Sequence, residues 1–392
     1  MQYRTFDDYK KGYSHIKIGA ECEDYASSYQ DPKGRYVICA ACDGHSDKNC
    51  FRSDKGAEFG CEAAITIMKR FFDLYCNAPE EEKKCGVEDA LRLKQAVKQF
   101  WDDLVFKDLE QKPVTEEDLK PLTDRVREIY EAGKGLLNIY GTTLMAVGAT
   151  DGLCVALHIG DGIMLFVDTD GSYYNPLPYD DKSDTPSPAS LCDTDLFTRE
   201  NAFRCQFFSK LPCAVLVSSD GIGDCMDQIE FKEFFHSLVS KIDSLEDKDD
   251  RSNSLNEAQR RFLESCTAFY ADKGNGVEDD CCLSGFYSLD EELPLVSIPG
   301  EEAEKMLKEV VEERERIELD YGKRKNDITN ALDNLEEAFK ESQNDEIREK
   351  IENTRDILKN IEENETAKIS ALDSRIRTFE EYVKRSSGEV KL

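Results

Sequence analysis

The residues of this chain best suited to chemistry are aspartates at the ends of apolar runs. Asp43 follows the run 36–40 and stands in the stretch Ala41-Cys42-Asp43-Gly44-His45-Ser46, which delivers a carboxylate, a glycine and an imidazole into one loop. Asp220 follows the apolar run 213–217, Asp279 precedes the run 281–287, and Asp24 and Asp161 also stand in loops beside strand-like segments. Alone, each is a turn or cap residue, because an Asp-Gly after a strand ordinarily reverses the chain. Several of them in a chain with a strongly β middle point to convergence on hard divalent cations. Mg2+ and Mn2+ take carboxylate, carbonyl and water oxygens.

The elements that must position these residues follow from periodicity. Segments 14–19 and 25–29 alternate loosely as short strands, with turn chemistry at Asp31-Pro32-Lys33-Gly34. In 54–76, Ala57, Cys61, Ala64, Ile65, Met68, Phe71 and Phe72 recur at helical spacing, and Ser53 or Asp54 caps the start. A charged connector at 78–84 leads to amphipathic helices at 87–109 and 116–131. Strands are expected at 142–149, 153–159 and 163–167, joined as a meander by hairpin turns at Asp151-Gly152 and Asp161-Gly162. Asp170-Gly171 is a further turn, and 179–188 reads as a surface loop. Helices at 229–242 and 255–271 flank a charged linker around Asp249, and 281–287 is the final strand.

Near Pro299-Gly300 the composition changes. Leu307, Val310, Ile317, Tyr321, Ile328, Leu335, Ile347, Ile351, Leu358, Ile361, Leu372 and Phe379 fall in a heptad-like pattern, with the polar Ser342-Gln343-Asn344-Asp345 at its midpoint. This pattern fits either an antiparallel helical hairpin or one arm of an intermolecular coiled coil. The expected divisions are a first domain at 1–296, a linker at 297–300, the helical pair at 301–388 and a tail at 389–392.

The charge balance, 51 basic against 82 acidic residues, argues against nucleic-acid and anionic-membrane partners and favours metal cations. No apolar run reaches the roughly 18 residues of a membrane span. The polar N-terminus does not read as a secretory signal, so a cytoplasmic location is expected. The 15 cysteines are scattered through strand-like and helix-like segments, as reduced thiols are. The pairs Cys39 with Cys42 and Cys281 with Cys282 read as small hydrophobes rather than zinc ligands.

Glu23-Asp24, Asp43-Gly44-His45, Gly141-Thr142-Thr143, Gly160-Asp161-Gly162, Ser219-Asp220-Gly221 and Asp279-Asp280 resemble, in order and approximate spacing, the motif series of metal-dependent protein phosphatases of the 2C type. The versions around Ser14-His15 and Glu21-Cys22-Glu23-Asp24 are most similar to the divergent, largely bacterial branch of that family. The resemblance covers 14–288 and leaves the tail outside. It implies an α+β fold, a four-layer α-β-β-α sandwich of two antiparallel sheets flanked by helices, to which the C-terminal coiled-coil hairpin is added.

What the resemblance implies for chemistry is a site for two or three Mn2+ or Mg2+ ions. Asp43 would bridge two of them and the Gly44 carbonyl would bind one. Asp220 and Asp279 would hold the second, Glu23 and Asp24 would contact it directly or through water, and Asp161 would share a third with Asp220. His45 matches the general acid for the leaving alkoxide. Where better-known members place a phosphate-gripping arginine, four residues before Glu23, this chain has Gly19; Lys17 and His15, and then Arg35, are the candidates to replace it. The expected function is a serine/threonine phosphoprotein phosphatase whose tail binds a partner or self-associates. The alternative is a catalytically inactive pseudophosphatase that acts as a binding or scaffold module through that tail.

Overall fold

The computed structural model describes residues 2–177, 188–246, 254–296 and 300–386. The chain divides into two compact units, Met1–Val296 and Ser297–Leu392. The expected loop at 179–188 except its last residue, the linker around Asp249, residues 297–299 of the expected linker at 297–300 and the tail at 389–392 lie outside the described residues.

In the first unit, β1 (Tyr3–Lys10) and the short helix α1 (Tyr13–Ile18) precede β2 (Tyr25–Gln30) and β3 (Tyr36–Cys42). Helices α2 (Ser53–Asn77), α3 (Val87–Gln111), α4 (Glu116–Leu119) and α5 (Asp124–Glu131) follow. Then come β4 (Leu144–Thr150), β5 (Leu153–Ile159), β6 (Ile163–Val167), β7 (Tyr173–Tyr174), β8 (Arg204–Phe208) and β9 (Ala214–Ser218). Helices α6 (Asp220–Gly223), α7 (Gln228–Ser244) and α8 (Glu257–Ala271) lead to β10 (Cys281–Ser288).

The strands form two five-stranded sheets, ordered β1-β10-β9-β6-β7 and β2-β3-β4-β5-β8, with every neighbouring pair antiparallel. Strand β3 explains why its sequence is apolar throughout. Successive side chains point to opposite faces. Val37, Cys39 and Ala41 pack between the sheets against Met145, Val217 and Phe286, while Ile38, Ala40 and Cys42 pack outward on Cys61, Met68 and Phe72 of α2. Helix α3 covers α2, and Trp101 Nε1 donates to the Gly56 carbonyl at 3.0 Å. On the other side α8 packs on β1 and β10. The result is the four-layer α-β-β-α sandwich.

Three local expectations need correction. Residues 14–19 are not a strand: 13–18 form α1, ended by Gly19 in the left-handed region at φ 72°. Segment 116–131 is not one helix but α4 and α5, separated around Pro121, which supplies no N–H to a helix. Nor do the strands at 144–167 form a meander. β4 and β5 pair, but β6 leaves for the opposite sheet and pairs with β9. Asp161-Gly162 is therefore a crossover between sheets rather than a hairpin turn, which puts Asp161 at the edge where both sheets end.

The second unit consists of α9 (Gly300–Ser342) and α10 (Asp345–Ser386), folded against each other as an antiparallel pair. Val310, Tyr321, Ile351, Leu372, Phe379 and Tyr382 are buried along the seam. Arg314 meets Asp373 at 2.6 Å, Lys325 meets Glu365, and Arg355 meets Glu336 at 2.6 Å. The chain reverses where the polar midpoint stands, and Gln343 takes a positive φ of 47°. Among the described residues no helix is long and apolar enough to cross a membrane.

Candidate metal centre

Strand β3 ends by placing Asp43 under a two-sided backbone clamp. The Asp43 N–H donates to Thr143 Oγ1 at 3.0 Å. Its carbonyl accepts from the Thr143 N–H at 2.8 Å and from Thr142 Oγ1 at 2.9 Å. The next residue, Gly44, donates its N–H to the Glu23 carbonyl at 3.0 Å. A Cβ there would stand 2.5 Å from the same oxygen, so only glycine lets the two loops approach. His45 donates its N–H to Gly141 O at 3.2 Å. The sequence Gly141-Thr142-Thr143 thus works as a clamp that fixes the Asp43 loop.

Asp220 and Asp279 arrive from the other sheet. Ser218 Oγ donates to Cys282 O at 3.0 Å and the Cys282 N–H donates to Ser219 Oγ at 3.0 Å, which locks the end of β9 to the start of β10. Asp280 is 3% exposed. Its carboxylate accepts from the Gly12 N–H at 2.6 Å, the Glu23 N–H at 2.5 Å and His15 Nδ1 at 2.8 Å. It holds the α1 and Glu23 segments in place beside Asp279. Asp161 is positioned through Gly160, whose carbonyl accepts from Arg204 Nη2 at 2.8 Å.

These carboxylates are electrostatically frustrated. Burial pushes Asp43 well above the ordinary carboxylate range, and Asp24, Asp220, Asp161 and Asp279 push it further. Burial does the same to Asp24; a Ser219 hydrogen bond opposes the shift, and Asp280, Asp279 and Asp220 add to it. Asp220 rises from 3.8 to about 6 through burial, then through Asp161, Asp224 and Asp279. Asp161 and Glu23 are raised by burial as well. The largest charge effects on Asp43, Asp24 and Asp220 come from other aspartates. Burial lowers His45 below the usual imidazole value, against the pull of Asp161, Asp193 and Asp47.

A cleft of about 610 Å³ opens over this floor and is lined by Asp43, Gly44, His45, Asp161, Asp220 and Asp279 together. Asp24, 4% exposed, is buried among the same carboxylates with its Oδ2 lacking a hydrogen-bond partner. Glu23 is held to the cleft's Ser46, whose Oγ donates to Glu23 Oε2 at 2.7 Å. Among the described residues, no group of three or more His, Cys, Asp or Glu side chains, as they stand, is placed to hold a metal ion. The fit to Mg2+ or Mn2+ rests instead on donor chemistry: hard oxygens, an orphaned buried carboxylate oxygen of Asp24, mutual repulsion among the aspartates and, among the described residues, a lining without lysine or arginine.

The proposed phosphate contacts are not brought to the cleft. Lys17 is exposed on α1, and His15 is buried against Asp280, with Nε2 at 3.2 Å from Ser46 Oγ. Arg35 sits at the β2–β3 turn, paired with Asp31 and Asp73 at 2.7 Å each. Gly19 faces open space at its positive φ, which makes it a helix cap where an arginine would be strained. Sequence reasoning missed Asp224, one helical turn after Asp220 and acting on both Asp220 and Asp161. It also missed the walls from Ser190 to Asp193 and from Val126 to Tyr130. The i, i+4 spacing of Asp220 and Asp224 was a usable signal; the walls had none.

A sequence model of the family described as protein phosphatase 2C matches residues 11–260. No curated protein matches the chain. Among solved structures, the chain is similar to the catalytic domain of the serine threonine protein phosphatase PstP in complex with two manganese ions, at 16% identity over 73% of this chain and 97% of that one, with a TM-score of 0.40. It is also similar to the Mycobacterium tuberculosis serine/threonine phosphatase PstP/Ppp, at 15% identity over 73% and 99% of the two chains, TM-score 0.40. The S. agalactiae serine/threonine phosphatase gives 11% identity, 73% and 99% coverage and a TM-score of 0.40.

Proposed function

The chain belongs to the protein phosphatase 2C family, and from that membership we propose that it is a Mn2+- or Mg2+-dependent phosphatase acting on phosphoserine or phosphothreonine in proteins. Hydrolysis would use a metal-activated water and no covalent phosphoenzyme. The observation that carries the reading is the set of carboxylates, buried Asp24 with half-buried Asp43 and Asp220, that raise one another's pKa.

Asp43 would bridge two ions, with the Gly44 carbonyl on one and Asp220 and Asp279 on the other. Glu23 and Asp24 would complete the second ion's surroundings, and Asp161 with Asp220 would hold a third. Divalent cations bound there supply Lewis acidity, which acidifies water and offsets phosphoryl charge. The Thr142 and Thr143 contacts keep the Asp43 carboxylate aimed into the cleft. His45, on the cleft wall beside Asp161, holds the proton that the departing serine or threonine oxygen takes up.

A second reading, a module that binds phosphorylated partners without turnover, draws on one observation: among the described residues, no lysine or arginine lines the cleft. The two separate in one assay. With Mn2+ bound, the enzyme hydrolyses a phosphothreonine peptide, and Asp43→Asn abolishes that; the module binds the peptide and releases no phosphate. The helical pair would serve as an arm for a partner or for self-association, which sedimentation velocity of the full chain over a range of concentrations tests. Free thiols throughout suit a reducing compartment such as the cytoplasm.

A further inference from the structure

The cleft is far larger than a phosphoryl group needs, and its volume of about 610 Å³ falls in the range that holds a ligand of several residues. Its two sides differ in chemistry. One is the carboxylate floor with His45; the other is an apolar wall contributed by Val126, Ile129 and Tyr130 of α5. Tyr130 is buried and its hydroxyl donates to the Asn49 carbonyl at 3.1 Å, which ties α5 to the loop that carries His45. Ile129 is 39% exposed, a large apolar side chain left open on the lining of the cleft.

We propose that Val126, Ile129 and Tyr130 form a specificity subsite that receives an apolar side chain adjacent to the phosphorylated serine or threonine of a protein substrate. The proposal rests on the phosphoprotein reading above and names the substrate class for that same cleft. Two observations choose the occupant. Among the described residues the lining has no cationic side chain, so it cannot select an acidic flank by ion pairing, and Asp47 and Asp193 on the same lining repel one. Of the large apolar side chains on the lining, Ile129 is the exposed one, and covering it removes hydrocarbon from water. Affinity for the peptide then comes from apolar contact beside the phosphoester.

The test compares phosphothreonine peptides identical except for leucine, serine, glutamate or lysine beside the phosphothreonine, in Mn2+, by kcat/KM. Binding of the matching non-hydrolysable phosphonate peptides is measured in parallel. The leucine peptide should exceed the others by roughly tenfold in both. Ile129→Ser should bring that ratio towards one and Ile129→Leu should keep it; the exposed position makes both variants compatible with the fold. Turnover without a leucine preference, a preference for lysine, or a preference untouched by Ile129→Ser overturns the subsite. No turnover but a leucine preference in phosphonate binding removes the enzymatic reading and keeps the subsite. Neither turnover nor phosphonate binding overturns both.

Discussion

Asp24, Asp43 and Asp220 are surrounded by other carboxylates and raised far above their ordinary titration range. Several acidic residues of α9 stand in water beside a base. Glu309 lies 3.7 Å from Lys305, Glu312 3.8 Å from Lys308 and Asp320 2.9 Å from Arg324, each one turn away. Such exposed pairs contribute about 0.3–0.5 kcal/mol each and compensate themselves. The carboxylates of the cleft floor meet mainly other carboxylates, with a Ser219 hydrogen bond opposing the shift of Asp24, and burying uncompensated charge costs several kcal/mol per ion. Identical functional groups therefore mean different things in the two units: solvation in the helical pair, mutual repulsion in the sandwich that the proposed cations would relieve.

The largest effect expected from breaking this contrast is at Asp43. Asp43→Asn should lower Mn2+-dependent phosphate release on the order of 10³-fold or more, measured at saturating metal, because it removes the carboxylate that would serve two ions. Stability should follow pH in a sense unusual for carboxylates. A group whose folded pKa lies above its unfolded value contributes stability below the unfolded pKa and loses it as pH rises through the folded one. Asp220, moved from 3.8 to about 6, contributes roughly 3 kcal/mol by this route. Thermal melts of metal-free protein should show higher stability near pH 5 than near pH 7.5, and Mn2+ should erase the difference.

A smaller change is expected at His45. His45→Gln should reduce kcat about 10²-fold and remove a pH limb lying below the ordinary imidazole value, in keeping with the direction that burial imposes. The smallest is in the helical pair. Arg355→Ala deletes an exposed ion pair with Glu336, and denaturant unfolding should change by no more than about 0.5 kcal/mol.

Much of the carboxylate floor was legible because its residues follow or precede strands buried on both faces. β3, β5, β6, β9 and β10 are near-continuous apolar runs, and Asp43, Asp161, Asp220 and Asp279 mark their ends. What the sequence hid was long-range. Nothing near 163–167 states that β6 pairs with β9, some fifty residues on, rather than with β5. β1 escaped notice because it buries only Tyr3, Arg4 and Phe6 in its first half and then carries Asp7 and Asp8, so its alternation is weak. The apolar wall was hidden by reading 116–131 as one helix, although Pro121 breaks it and turns α5 towards the cleft. Lys17 was near the motif in sequence, yet α1 turns it outward; His15 does reach Ser46 at 3.2 Å, but it is buried against Asp280 and does not line the cleft.

That the buried carboxylates import divalent cations and hydrolyse phosphoesters with them is tested most directly by adding Mn2+ to metal-free protein. Calorimetry would follow occupancy while phosphate release from a phosphothreonine peptide is measured. Release should rise in step with occupancy, stop on chelation and be lost in Asp43→Asn. Full occupancy without phosphate release, or undiminished release by Asp43→Asn at saturating Mn2+, would contradict it.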